Sequence, residues 1–136
     1  MLRIYSDAAV SPKDQLAGAG LVVVGENLHE QLSLPLSSTD DNHLAELEAF
    51  YKAVSWPNEN GRLEEWTIFH TDSQLVANAI RKNHIKNNKY TDAFQSIVLS
   101  LEKLAFYEVK WIPEKENKGA DNLAKQALAK QRKNRK

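Results

Sequence analysis

The chain has 136 residues, 42% hydrophobic and 26% charged, a balance that suits one domain with its own core and not a disordered polymer. It contains no cysteine, which excludes disulfides and thiolate chemistry, and its single methionine, Met1, excludes a methionine-rich binding groove. Net charge is zero, yet residues 1–80 hold four Lys or Arg against twelve Asp or Glu, while residues 81–136 hold fourteen against six. An acidic half that could hold cations beside a basic half that could hold a polyanion fits a metal-dependent nucleic-acid enzyme, although basic tails are common and folding can intermix the halves. No apolar run approaches a membrane span, and the opening Met-Leu-Arg-Ile-Tyr-Ser reads as a strand, not a signal peptide. A cytoplasmic monomer is the expectation.

In chain order, Leu2 to Asp7 reads as a first strand, followed by a loop from Ala8 to Leu16 that contains Pro12 and Asp14. Ala17 to Val24 is a second strand whose small first half implies close approach of another backbone. Gly25-Glu26-Asn27 is a tight turn that returns the chain as a third strand over Leu28 to Leu36, with Pro35 marking an edge. These three strands are expected to be antiparallel. A helix over His43 to Ser55 follows, with Leu44, Leu47, Tyr51 and Val54 as its core stripe and Pro57 to Gly61 as its stop. Strand four, Leu63 to Thr71, leads into a short helix over residues 73–81. The strand–helix–strand crossover beyond it predicts parallel pairing.

Arg81 to Lys89 is a basic connector, and Thr91 to Leu104 a helix facing inward through Phe94, Ile97, Val98, Leu101 and Leu104. Phe106 to Ile112 is a fifth strand, Glu114 to Gly119 a loop, and Ala120 to Gln131 a last helix carrying Leu123, Ala124, Ala127 and Leu128. The reading is one α/β domain over residues 1–131 with a frayed, solvated basic tail over 132–136.

Four carboxylates on four separate elements call for an explanation. Asp72, in Thr71-Asp72-Ser73-Gln74, falls where a strand gives way to a helix, which is where open α/β sheets bind ligands; the alternative is that Asp72 or Ser73 only caps the helix. Asp7 ends the first strand and either faces a site or opens a turn. Glu46 shares a helix face with Ala49, Phe50 and Ala53, where a carboxylate loses solvation unless something pairs with it; Glu48 has Lys52 four residues on, the spacing of a surface pair. Asp121 lies in the first turn of the last helix, where the dipole favours an acid, and Asn117 is the competing cap. If the four converge, their repulsion calls for divalent cations, and oxygen ligands suit Mg²⁺ or Mn²⁺ in pairs that serve phosphoryl chemistry. The four histidines lack zinc spacing, and His70, alternating with Phe69 in a strand, reads as structural.

These strings, in this order, resemble the type I ribonuclease H family over nearly the whole chain. Tyr5-Ser6-Asp7 resembles its first-strand Asp and Ala45-Glu46-Leu47 its helix-borne Glu. Thr71-Asp72-Ser73-Gln74 resembles its fourth-strand signature, and Asn117-Lys118-Gly119-Ala120-Asp121-Asn122-Leu123-Ala124 its last acidic segment. The resemblance implies an α/β ribonuclease H-like fold: a five-stranded mixed sheet, its first three strands antiparallel, flanked by helices. It implies endonucleolytic cleavage of the RNA strand of an RNA–DNA hybrid, leaving 5′-phosphate and 3′-hydroxyl ends. Asp7, Glu46, Asp72 and Asp121 would be the catalytic and metal-holding residues for two Mg²⁺ or Mn²⁺ ions. It places Asn42 and Gln74 at the hybrid's minor groove near the ribose hydroxyls, the groups that distinguish RNA from DNA, with a structural role for Gln74 as the alternative.

The chain departs from the family pattern in Ala8, where many relatives have Gly, and in lacking a tryptophan-rich basic protrusion and an added hybrid-binding domain. Weaker hybrid binding follows, since phosphate contacts supply much of the affinity. The loop before Asp121 has no histidine; Glu114 and Glu116 either substitute as mobile proton or metal handlers or are simply solvated. Two further readings stand beside the enzyme: a weakly active or inactive relative that binds nucleic acid or protein, and a DNA or junction nuclease of the same fold.

Overall fold

The computed structural model describes residues 1–134. Strands β1 (Leu2–Ser11), β2 (Leu16–Gly25) and β3 (Leu28–Pro35) open the chain, followed by helix α1 (Asn42–Glu59), strand β4 (Thr67–Thr71) and helix α2 (Gln74–Lys82). Helix α3 (Thr91–Glu102), strand β5 (Tyr107–Trp111) and helix α4 (Lys118–Asn134) complete it. The strands form one sheet in the order β3-β2-β1-β4-β5, with β1–β2 and β2–β3 antiparallel and β1–β4 and β4–β5 parallel, as expected. Asn27 closes the β2–β3 hairpin at φ 57°, a left-handed geometry that asparagine tolerates better than most residues. Pro35 ends the edge strand β3.

One face of the sheet carries the main core. Leu2, Ile4, Leu21, Val23 and Phe69 pack with Leu47, Phe50 and Val54 of α1 and with Ile97 and Leu101 of α3. The Phe50 and Phe69 rings meet edge to face at 5.9 Å. A smaller cluster of Ala17, Ala19, Leu36, Ala45 and Ala49, mostly alanine, lets α1 lie close to the sheet.

On the opposite face α4 presses on β2. A Cβ on Gly20 would strike the carbonyl oxygen of Ala120 and the backbone nitrogen of Ala124, so only glycine fits. Gly20→Ala is expected to cost about 3 kcal/mol in urea unfolding, by overpacking. Gly119→Ala, whose methyl would meet Val22 at an ordinary 3.4 Å, is expected to be nearly neutral.

Several boundaries differ from the sequence expectation. β1 runs on to Ser11, so Asp7 lies in mid-strand; Ala8 and Ala9 are weak strand formers, held extended by pairing with Ala19 and Gly18. α1 continues through Pro57 to Glu59, because the proline forgoes only one late hydrogen bond and its ring is buried. Tyr51, expected in the α1 stripe, is exposed, since Phe50 takes the inward position. Leu63 to Trp66 is not strand; Arg62 and Glu65 close a turn there through a 3.0 Å ion pair. α4 extends to Asn134, and Arg132 pairs with Asp14 at 3.0 Å, so residues 132–134 are helix and not frayed tail. Residues 135–136 of that tail lie outside the described residues.

Candidate active site

Register brings the first two carboxylates together. The last parallel β1–β4 pair is Ser6 with Thr71, so Asp7 and Asp72 are the next residues on each strand. At that point β4 ends and the chain turns into α2, while β1 continues along β2 alone. Asp7 and Asp72 therefore stand where two parallel strands part, in the crevice at the carboxyl end of β4.

The other two arrive from the helical layers. Ser73 caps α2, its Oγ accepting from Val76 N at 3.2 Å, and the same hydroxyl donates to Glu46 Oε2 at 2.7 Å. Glu46 of α1 is thereby tied to the segment that carries Asp72. Thr71 Oγ1 accepts from Ser73 N at 3.1 Å and holds the turn. Asp121 enters from the first turn of α4, with Oδ2 2.9 Å from Lys125 Nζ.

The electrostatics reflect burial first and neighbouring acids second. Burial, and after it the charge of Asp72, pushes the Asp7 carboxyl up to about 8, against the 2.9 Å hydrogen bond from Ala8 N; Asp121 adds to the rise. Burial also raises Glu46, opposed by the Ser73 hydroxyl. Asp72 is raised by burial and by the charges of Glu114 and Asp121, opposed by the amide of Asn117. As the side chains stand, no three His, Cys, Asp or Glu among the described residues converge as the ligands of one ion. Each carboxylate holds a local partner instead.

Three residues unmarked as functional in the sequence support the site. Asn117 is 2% exposed; its Nδ2 donates to Ser6 O at 2.9 Å and to Asp72 Oδ2 at 3.2 Å, while its Oδ1 is buried without a partner. Rather than capping α4 with its side chain, Asn117 clamps β1 to Asp72. Trp111 Nε1 donates to the Asp72 carbonyl at 3.1 Å. Ser73, marked only as a possible cap, bridges α2 to Glu46. A repeating pattern could not reveal these contacts, because they span 27 to 111 residues of chain.

The remaining expected residues divide. Asn42 and Gln74 are the exposed first residues of α1 and α2. Glu114 and Glu116 are both exposed on a short 3-10 turn, and of the two it is Glu114 that acts on Asp72 and lines an open concavity with Asp121. Glu116 borders a separate hollow with Tyr5 and Val22. Glu48, expected to pair with Lys52, accepts from Ser37 N and Oγ at 3.1 and 2.9 Å. His70 is buried, stacked on Tyr5 with ring centroids 4.2 Å apart, and burial lowers its pKa, in keeping with a structural role.

The RNase H family model matches residues 1–129. The chain belongs to the RNase H family. A relative, the Enterococcus faecalis protein EbsB, is 35% identical over 130 residues, covering 96% of each chain. Among solved structures, the N-terminal RNase H domain of Rv2228c from Mycobacterium tuberculosis superposes with this chain at a TM-score of 0.85 and 17% identity, over 99% of this chain and 98% of that one. LC11-RNase H1, isolated from compost and solved with an RNA/DNA hybrid, gives 0.82 at 23% identity, over 96% and 98%. At those identities the likeness establishes the fold. No helix among the described residues is long and apolar enough to cross a membrane.

Proposed function

We propose that the chain is an endoribonuclease that hydrolyses the RNA strand of RNA–DNA hybrids, with Asp7, Glu46, Asp72 and Asp121 holding two Mg²⁺ or Mn²⁺ ions. The observation that carries this reading is the side-by-side placement of Asp7 and Asp72 where β1 and β4 part, with Glu46 and Asp121 brought to the same crevice. Four carboxylates supply the all-oxygen donor set that hard divalent cations prefer, and the pKa values of Asp7, Glu46 and Asp72 are raised first by burial and then by neighbouring acids, both of which a bound cation offsets. Bound ions supply Lewis-acid stabilisation of the phosphate and a more acidic water.

The chain's own groups do the rest. Asp72 is aimed by Asn117, and Glu46 by Ser73. Asn42 and Gln74, at neighbouring helix starts, reach toward ribose hydroxyls in the hybrid's minor groove. Attack of water at the scissile phosphorus breaks the bond to O3′ and leaves a 5′-phosphate and a 3′-hydroxyl. Lys89, one of the few cations of the basic connector, is engaged by Asp41 at 2.7 Å, which supports weak hybrid binding.

A labelled substrate panel tests the reading. The chain is expected to cut RNA within a hybrid and to spare single-stranded RNA and duplex DNA. Preference for duplex DNA would favour a DNA nuclease of the same fold. Binding of hybrid without cutting would favour a binding domain.

A further inference from the structure

We propose that Lys125 is a tethered counter-cation that competes with a divalent ion for Asp121 and thereby sets how tightly the acidic site takes up metal. This rests on the metal-dependent reading above. The four carboxylates are not partnered alike. Asp7 accepts from a backbone N–H, Glu46 from a hydroxyl and Asp72 from an amide, all neutral donors. Among the described residues, only Asp121 of the four takes a cation, the Lys125 ammonium at 2.9 Å.

Position makes that cation local to the site. Lys125 lies one helical turn after Asp121 on α4, so the backbone holds it in place whatever else is bound. Its charge acts on Glu114 and Asp7 as well as on Asp121. The pair is also easy to break. Lys125 is 68% exposed, and an exposed pair four residues apart on a helix is weak. A divalent ion brings two charges where the ammonium brings one, so it can displace Lys125 from the carboxylate. The displaced ammonium stays tethered nearby and repels the ion. Lys115 and Lys118 line the same concavity as Asp121 but form no ion pair with it, so they separate pairing from general positive charge.

The test is calorimetric titration of Mn²⁺ into the full chain without nucleic acid, which reads binding independently of turnover. Lys125→Met is expected to bind Mn²⁺ about two- to fivefold more tightly than the wild type. Lys118→Met is expected to change affinity much less, and adding Asp121→Asn to Lys125→Met to abolish the gain. Unchanged or weaker binding by Lys125→Met would overturn the inference, as would an equal gain in Lys118→Met. If wild-type binding is lost in Asp72→Asn while Lys125→Met matches the wild type, the metal reading survives and the Lys125 inference fails. No Mn²⁺ uptake by any of these chains overturns both.

Discussion

Asp7→Asn is expected to abolish hybrid cleavage and, in the same protein freed of metal, to raise stability at pH 8. The folded chain holds the Asp7 carboxyl up to about 8, whereas the unfolded chain releases that proton near 3.8. Between those values the folded state binds more protons than the unfolded state, so stability falls as pH rises through the window. The contribution of neutral Asp7 is fully present below about pH 4 and is lost as pH climbs through about 8.

Asparagine copies the neutral acid in size and keeps an oxygen for Ala8 N. Its advantage should therefore be near zero at about pH 4 and reach about 2–4 kcal/mol at pH 8, less than the full shift implies because the site is partly open to water. For a domain of this size that is a rise of about 7–14 °C in Tm. Thermal melts in chelator at both pH values read it directly. Adding Mn²⁺ at pH 8 should then stabilise the wild type and leave the variant nearly unmoved. A variant no more stable than the wild type at pH 8 would mean that Asp7 is not buried beside the other acids as the structure places it.

Asn117→Ala is the second large effect. The side chain is buried, and its loss removes donors to both Ser6 O and Asp72 Oδ2 and leaves a small void. A cost of about 2–3 kcal/mol is expected from the vacated acceptors and the cavity. Activity should drop about 10- to 100-fold beyond any loss of folded protein, the usual consequence of removing a group that orients a metal-binding side chain. Asn117→Asp separates the two roles: it keeps the volume but sets a carboxylate against Asp72 Oδ2, so it should cut no better than Asn117→Ala. Near-normal cleavage by Asn117→Asp, from folded protein, would show that Asn117 fills space and does not aim Asp72.

Much of the architecture was legible because it depends on local periodicity. The α4 stripe of Leu123, Ala124, Ala127 and Leu128 is buried as expected, and the small residues at the start of β2 do receive another backbone, that of α4 on Gly18 and Gly20. The hairpin at Gly25-Glu26-Asn27 follows from residues that tolerate tight turns. Tyr51 was misplaced because α1 buries two surfaces, the main core through Leu47, Phe50 and Val54 and the alanine cluster through Ala45 and Ala49. A single stripe describes such a helix badly.

The four carboxylates were legible as types on elements, and from the family strings that surround them. Their arrangement was not, because it depends on strand register. Nothing local to Tyr5-Ser6-Asp7 states that Ser6 pairs with Thr71, or that β1 runs past Asp7 after β4 has left it. Asn117 escaped for a related reason. Its sequence position favours a helix cap, and only the closure of α4 against β1 turns its amide toward Ser6 and Asp72.

The most direct measurement is cleavage of a labelled RNA–DNA hybrid by the wild type and by Asp72→Asn, each with Mg²⁺, with Mn²⁺ and with chelator. The account predicts cutting by the wild type with divalent metal only, products bearing 5′-phosphate and 3′-hydroxyl ends, and none above background from the variant. Intact hybrid after incubation of folded wild type with either metal, or equal cutting by Asp72→Asn, would contradict it.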